Sequence, residues 1–302
     1  MLHIHRAERA DGLVQALGEL LADPLPDPFT SEVVAVPTRG MERWLIQRLS
    51  SSLGVSPGRF DGVCANVEFP SPRRLVGGAV AAVSGVDPDE DPWLPGRALW
   101  PLLEVVDSSL DEPWLDGLSA YLGGSEAAAD STRRARRLST VRHLAELFGR
   151  YALDRPDMVQ AWAAGKTDAG WQAELWQRVR ERIALPSPAE RLKPACERLR
   201  DEPDTLGLPQ RLSLFGLTRL PAGDLEVLRS LAAGRDVHLF LLHPSPALWE
   251  EVAGRPPVLH RSEDPTADLP ANRLLASWGK DSREMQLVMA AGGEHADHHH
   301  PV

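Results

Sequence analysis

The residues of this chain that could do chemistry are mostly arginines. The densest block is Arg133, Arg134, Arg136 and Arg137, followed by Arg142, Arg150 and Arg155. A guanidinium donates two parallel hydrogen bonds to a phosphate, so arginine at this density points to an anionic partner. Arg133 and Arg137 lie four apart and share a helical face. A charge run is ordinarily a solvated face; a positive lining for a guided single strand is the sharper alternative. A second constellation is Pro37-Thr38-Arg39-Gly40-Met41-Glu42-Arg43. It follows the apolar run Val33-Val34-Ala35-Val36 and reads as a loop leading into a helix. There Thr38 and the N–H groups near Gly40 can meet a phosphate. Arg39 and Arg43 are again four apart, with a solvated helix face beside a core Trp44 as the plainer reading.

Triphosphate chemistry is poorly represented. A phosphate loop needs Gly-x-x-x-x-Gly-Lys-Ser/Thr after a strand. Gly165-Lys166-Thr167 is the one Gly-Lys-Thr, but Gln160 stands where the earlier glycine belongs and no strand precedes it. Where a first-strand phosphate loop is expected the chain has Arg6-Ala7-Glu8-Arg9, without glycine and with a carboxylate that repels phosphate. A motor ATPase also needs a carboxylate at a strand end for Mg²⁺. The strand here ends Phe215-Gly216-Leu217-Thr218, and the next acid, Asp224, belongs to the following helix. His295 and His298 to His300 could bind metal, but without cysteine partners they read as loop. Cys64 and Cys196 have neither metal nor disulfide-framework spacing, which suits a reducing cytoplasm.

The elements that must position these groups follow from hydrophobic period. A short alternating strand covers 2–5. Leu13, Val14, Leu17, Leu20 and Leu21 have helical spacing over 11–21, with Asp11 as N-cap. Residues 33–36 form a buried strand, and a helix over 41–53 buries Trp44, Leu45 and Leu49. From 76 to 205 strand signals nearly vanish. Trp93, Leu99, Trp100, Leu102 and Leu103 make one helical patch, and helices are predicted over 131–153 and 171–183, with loops at 87–91 and 123–130. Strand–helix–strand grammar returns with 212–215, a helix over 221–231 and 236–242. The expected fold class is α/β: a parallel sheet domain, discontinuous over 1–75 and 206–302, with an inserted all-helical domain over 76–205. The 302 residues suffice for two domains. Twenty-six prolines and 24 glycines predict many surface loops. No apolar run reaches the roughly 18 residues of a membrane span, no secretory signal opens the chain, and the tail reads as a truncation point. The formal net charge of −10 argues against nucleic acid only if charge is spread evenly.

Several blocks together resemble the RecC family, gamma subunits of bacterial RecBCD (exodeoxyribonuclease V). They are 36–45 (VPTRGMERWL), Phe69-Pro70-Ser71-Pro72, 151–157 (YALDRPD), 171–176 (WQAELW), Phe215-Gly216 with Leu220-Pro221, and 274–280 (LLASWGK). They occur in family order over almost the whole chain and correspond to about the N-terminal third of the longer family members. The resemblance implies a degenerate superfamily-1 helicase fold, P-loop NTPase-like in shape. It implies no cofactor on this chain, with ATP and Mg²⁺ used by the partner subunits RecB and RecD. It implies a scaffold for both partners that guides single-stranded DNA from a duplex end, without activity alone. Thr38, Arg39, Arg43, Arg133, Arg137, Arg155 and Arg191 are its candidate DNA contacts, Arg155 and Arg191 by match to family positions. Two other classes stay open: an active helicase of the AddB type, which keeps a phosphate loop and later cysteines for an iron–sulfur cluster, and a protein-interaction domain that never meets DNA. At family positions tied to Chi sensing this chain carries Pro37, Arg39, Arg43, Ser71 and Gly77, so amide and aromatic base readers are replaced. The expected outcome is a different recognition sequence or none. Sequencing the DNA ends left by the assembled complex tests this, and a strong pause at the enterobacterial Chi octamer would contradict it.

Overall fold

A computed structural model describes residues 1–123, 131–166, 170–255, 264–291 and 293–301. It divides into two compact units, Met1–Ala79 with Cys196–Val302, and Val80–Ala195. In chain order the first unit supplies β1 (Leu2–Ala7), α1 (Ala10–Ala22), β2 (Glu32–Ala35), α2 (Arg39–Leu49), β3 (Val67–Glu68) and the start of α3 (Pro72–Ser84). The helical unit contains α4 (Pro95–Ser108), α5 (Asp116–Leu122), α6 (Ser131–Asp154), α7 (Pro156–Ala163) and α8 (Trp171–Ile183), and leads into α9 (Pro188–Asp201). The chain returns through β4 (Arg211–Phe215), α10 (Ala222–Leu231), β5 (Asp236–Leu242), α11 (Pro246–Ala253), α12 (Arg273–Trp278), α13 (Lys280–Ala291) and β6 (Ala296–His299).

The six strands form one parallel sheet in the order β3-β2-β4-β5-β1-β6. Connections from β1 to β2 to β3 run one way across it, and those from β3 to β4 to β5 to β6 run the other. Right-handed crossovers therefore put α1 and α2 on one face and α10 and α11 on the other. On the α1 side, Leu13, Leu17, Leu45 and Leu49 pack with Val34, Val36, Phe215 and Phe240. On the opposite face Ile4, Leu212, Leu214, Val237 and Leu239 are fully buried. Cover on both faces explains why β2, β4 and β5 are apolar without strict alternation.

The helical unit is built round aromatic rings. Trp93 stacks on Trp176 at 5.5 Å between centroids, and Phe148 and Tyr151 meet Trp162 edge-on. The Trp93 indole N–H donates to Leu185 O at 2.8 Å, so the largest side chain of the core keeps a polar partner. Leu99, Leu102, Val105 and Val106 turn inward from α4, whereas Trp100 is 63% exposed and leaves the predicted patch.

Three local expectations are corrected. Arg9, not Asp11, occupies the N-cap of α1; Asp11 sits in the first turn and pairs with Arg9 at 3.0 Å. Helix α2 begins at Arg39, because Thr38 caps it, and ends at Leu49 rather than 53. The histidine tail is a strand, not a loop: β6 pairs with β1 from His3↔Ala296 to Arg6↔His299. The predicted loop at 123–130 lies, after Gly123, outside the described residues.

Gly216, the residue after β4, has φ +73°, and a Cβ there would lie 3.0 Å from Met41 Cε of α2. Gly216→Ala is expected to cost about 1–2 kcal/mol, since L-residues pay that much in the left-handed region. The readout is a lower denaturant midpoint at unchanged slope; an unchanged midpoint would show that this turn tolerates a side chain.

Candidate nucleic-acid interface

Because every strand is parallel, all six C-terminal ends lie along one edge of the sheet. At the β2 end, Thr38 is extended (φ −145°, ψ 153°) and its Oγ1 accepts from Met41 N–H at 3.2 Å, starting α2. At the neighbouring β3 end, Ser71 does the same for α3, accepting from Arg74 N–H at 3.2 Å, and Pro72 fills the first helical position. Val36 N–H donates to Pro70 O at 2.9 Å, tying the two exits together. Two helix N-termini, each with unsatisfied first-turn N–H groups, thus open side by side. Around them Arg39, Arg43, Arg73 and Arg74 are exposed, and none has an ion-pair partner among the described residues. Arg73 and Arg74 were not foreseen; the signal for them is Ser71-Pro72, a capping residue followed by proline ahead of an arginine pair.

The β1 end is built differently. Only Glu8 and Arg9 separate β1 from α1. Burial raises the Glu8 carboxyl, but the hydrogen bond with His299 Nε2 at 2.6 Å, the backbone N–H of Glu8 and the charges of His299 and Arg6 together outweigh it and hold the group below the usual carboxylate range. Arg6 is buried, bonds both oxygens of Asp297 at 3.0 and 3.1 Å, and lies 4.9 Å over the Trp249 ring. At the β5 end His243 is buried edge-on against Trp249, and desolvation lowers it to about 4, so it is neutral at pH 7. At the β4 end the chain turns at Gly216 with no acid before Asp224 of α10.

In the helical unit the remaining candidates have separate fates. Arg133 lies in the first turn of α6, and its side chain is outside the described residues. Arg134, Arg136, Arg142 and Arg150 are exposed along that helix, but Arg137 is only 8% exposed and donates to Asp107 at 2.8 Å. Arg155 is exposed at the N-cap of α7, 5.9 Å over the Tyr151 ring. Arg191 is half-buried in a close ion pair with Asp91, both side chains under 15% exposed. Gly165 terminates α7: at φ +70° its N–H donates to Trp162 O, while Lys166 N–H donates to Ala161 O. That is a Schellman helix stop, and it accounts for the glycine of the Gly-Lys-Thr triplet; Thr167 lies outside the described residues.

Sheet and edge together define an α/β protein whose strand ends offer two capped, arginine-flanked helix N-termini, while its first strand end carries the Glu8 carboxylate paired with His299. Comparison with known proteins gives the family. The model described as "RecC, N-terminal domain" matches residues 2–300, and the chain belongs to the RecC family. The RecBCD enzyme subunit RecC of Mycolicibacterium smegmatis is 46% identical over 289 residues, covering 95% of this chain and 25% of the relative. That of Mycobacterium tuberculosis is 45% identical over 300 residues, covering 96% and 27%. The Escherichia coli protein of the same name is 26% identical over 333 residues, covering 96% and 28%. This chain spans about a quarter of the length of these relatives.

Asp91→Ala would leave the enclosed Arg191 side chain unpaired. It is expected to destabilise the protein by about 3 kcal/mol, the scale for breaking a buried pair. Unfolding midpoints measure this; a loss under about 1 kcal/mol would class the pair with surface salt bridges.

Proposed function

We propose that this chain acts in a RecBCD-type exodeoxyribonuclease V as the gamma subunit, a non-catalytic scaffold that guides single-stranded DNA in double-strand break repair and recombination. The family membership and the named relatives support the assignment to that complex. The observation that carries the non-catalytic part is the two-residue β1–α1 connection. Eight residues of phosphate loop have no room there, and Glu8 places a carboxylate in that connection that would repel a phosphate. With no carboxylate at the β4 end, nothing at these two positions grips a triphosphate or its Mg²⁺; RecB and RecD would supply ATP hydrolysis, and RecB the nuclease. The sheet unit would be a degenerate superfamily-1 helicase domain and the helical unit its insertion, working in the cytoplasm.

The DNA-facing surface in this reading is the β2–β3 edge: Thr38 and the α2 N-terminus with Arg39 and Arg43, extended by Ser71, Arg73 and Arg74. Phosphates bind N–H groups and arginines without base selection, which suits a strand passing through. Arg133 and Arg155 add candidate contacts from the helical unit. Arg137 and Arg191 are engaged by carboxylates, so their part in the reading is to hold that unit's shape.

The test is single-strand affinity against salt for the full natural chain with its partners. Arg39→Ala with Arg43→Ala is expected to weaken binding and to flatten the log–log salt slope by roughly 0.7 per lost phosphate contact, about 1.4 in all. An unchanged slope would move the strand path off this edge, and ATP turnover by the chain alone would overturn the non-catalytic assignment.

A further inference from the structure

Five histidines occupy one sheet face over three adjacent strands. His3 and His5 alternate along β1, His238 of β5 is in register with His3, and His298 of β6 is in register with His5. His300 follows β6, its backbone N–H donating to Arg6 O at 2.9 Å. The ring nitrogens form two strings. His5 Nδ1 lies 3.0 Å from His300 Nε2, and His5 Nε2 lies 3.0 Å from His238 Nδ1. His3 Nδ1 lies 3.2 Å from His298 Nε2, and His3 Nε2 lies 3.4 Å from Asp236 Oδ1. The His5 ring also stacks on those of His298 and His300, at 4.7 and 5.2 Å. Among the described residues no three such groups are placed to share a metal ion.

Each imidazole pair needs one N–H and one lone pair, so a string holds with neutral rings or with one proton on its middle ring, and loses a bond once a second ring is protonated. One proton charges a half-buried ring whose neighbours are other imidazoles. A second sets like charges about 3 Å apart. We propose that these strings form a proton-sensitive latch: neutral rings hold edge strand β6 on β1, and protonation releases it from the sheet.

The geometry singles out β6, which among the described residues has four residues paired to one neighbour, whereas β1 and β5 are paired on both sides. Burial, then the other histidines, lower His5 to about 3; burial and then His3 lower His238 to about 4; burial and then His298 lower His300. The charged groups facing the strings are Glu19 of α1 near His300, Arg211 of β4 near His238, and Asp236 of β5, which also binds the Met1 amino group. On the other side of β6, Asp297 holds Arg6, whose second partner is Glu250 of α11, and His299 holds Glu8. The two acids nearest the strings favour protonation, but burial and the neighbouring rings exceed them. Release of β6 frees His300 and uncovers His5 on β1, moving both toward roughly 6.5, so the open form binds more protons below that pH. The latch is whole above about pH 6.5 and weakens as pH falls, by up to about tenfold per unit for each histidine freed.

Hydrogen exchange read by mass spectrometry on the full natural chain, corrected for intrinsic rates, tests this. Between about pH 7.5 and pH 5.5, opening of the 294–301 segment is expected to rise about 10- to 100-fold, from His5 and His300 together. The β2–β4 pairs, remote from the histidines, should stay unchanged. His300→Phe keeps a ring for stacking and should cut the response about tenfold; if that variant does not fold, the contrast between β6 and β2 in the natural protein decides alone. No extra opening at β6, or equal opening at β2, overturns the latch. So does protection of β6 by added Zn²⁺ at neutral pH, which would make the cluster a metal site.

Discussion

A parallel sheet forces every strand to finish on the same edge, and the helix after each strand begins there with its N–H groups unpaired. That requirement for negative charge or capping at each helix start is the constraint on which the rest of this molecule turns. At α1 no side chain caps the first turn; the chain places Glu8, paired with His299, just before the N-cap and Asp11 in the first turn. At α2 and α3 the caps are the neutral hydroxyls of Thr38 and Ser71, with Glu42 in the first turn of α2 and exposed arginines around both starts. One edge therefore carries two kinds of strand end. One carries Glu8 and Asp11 beside an uncapped helix start; the other carries capping hydroxyls with exposed arginines beside them.

The arginines divide by the same reasoning. A guanidinium taken out of water needs a carboxylate, and the helical unit provides one for its two enclosed arginines of the described set, Asp107 for Arg137 and Asp91 for Arg191. Further pairs, Arg178 with Glu112 and Arg182 with Glu104, occupy more exposed ground. Much of the acidity that makes the chain −10 overall is thus spent locally on arginines, and the net charge says little about the cations that remain unpaired at the β2–β3 edge.

How much of this is legible in sequence depends on whether the deciding partner is near in the chain. The strands at 33–36, 212–215 and 236–242 are legible because burial on both faces writes itself as an apolar run. The start of α2 is legible only approximately: the pattern places it at 41, and the Thr38 cap, a bond spanning three residues, moves it to Arg39. Arg137 and Arg191 cannot be told from exposed arginines by local pattern, since Asp107 and Asp91 stand 30 and 100 residues away. Trp100 reads as core beside Leu99 and Leu102, yet the turn of α4 carries it outward. Strand β6 has no apolar signature at all. Its Ala-Asp-His-His composition becomes a strand only because β1, 291 or more residues earlier, offers an unpaired edge with matching side chains.

That polar composition has its own logic. An open sheet ends in two strands with free backbone groups, and a long apolar edge invites pairing with another chain. Here one edge, β3, is two residues long. The other, β6, points the Asp297 carboxylate at buried Arg6 and the His299 ring at Glu8, so each side chain leaving the strand on that face is fixed by a charged partner on β1 or just after it. An apolar β6 would cover β1 equally well but would leave Arg6 with only the distant Glu250 contact in a buried position. A buried guanidinium without its carboxylate is costly, so the sequence of the edge strand is dictated by the charge on the strand it covers.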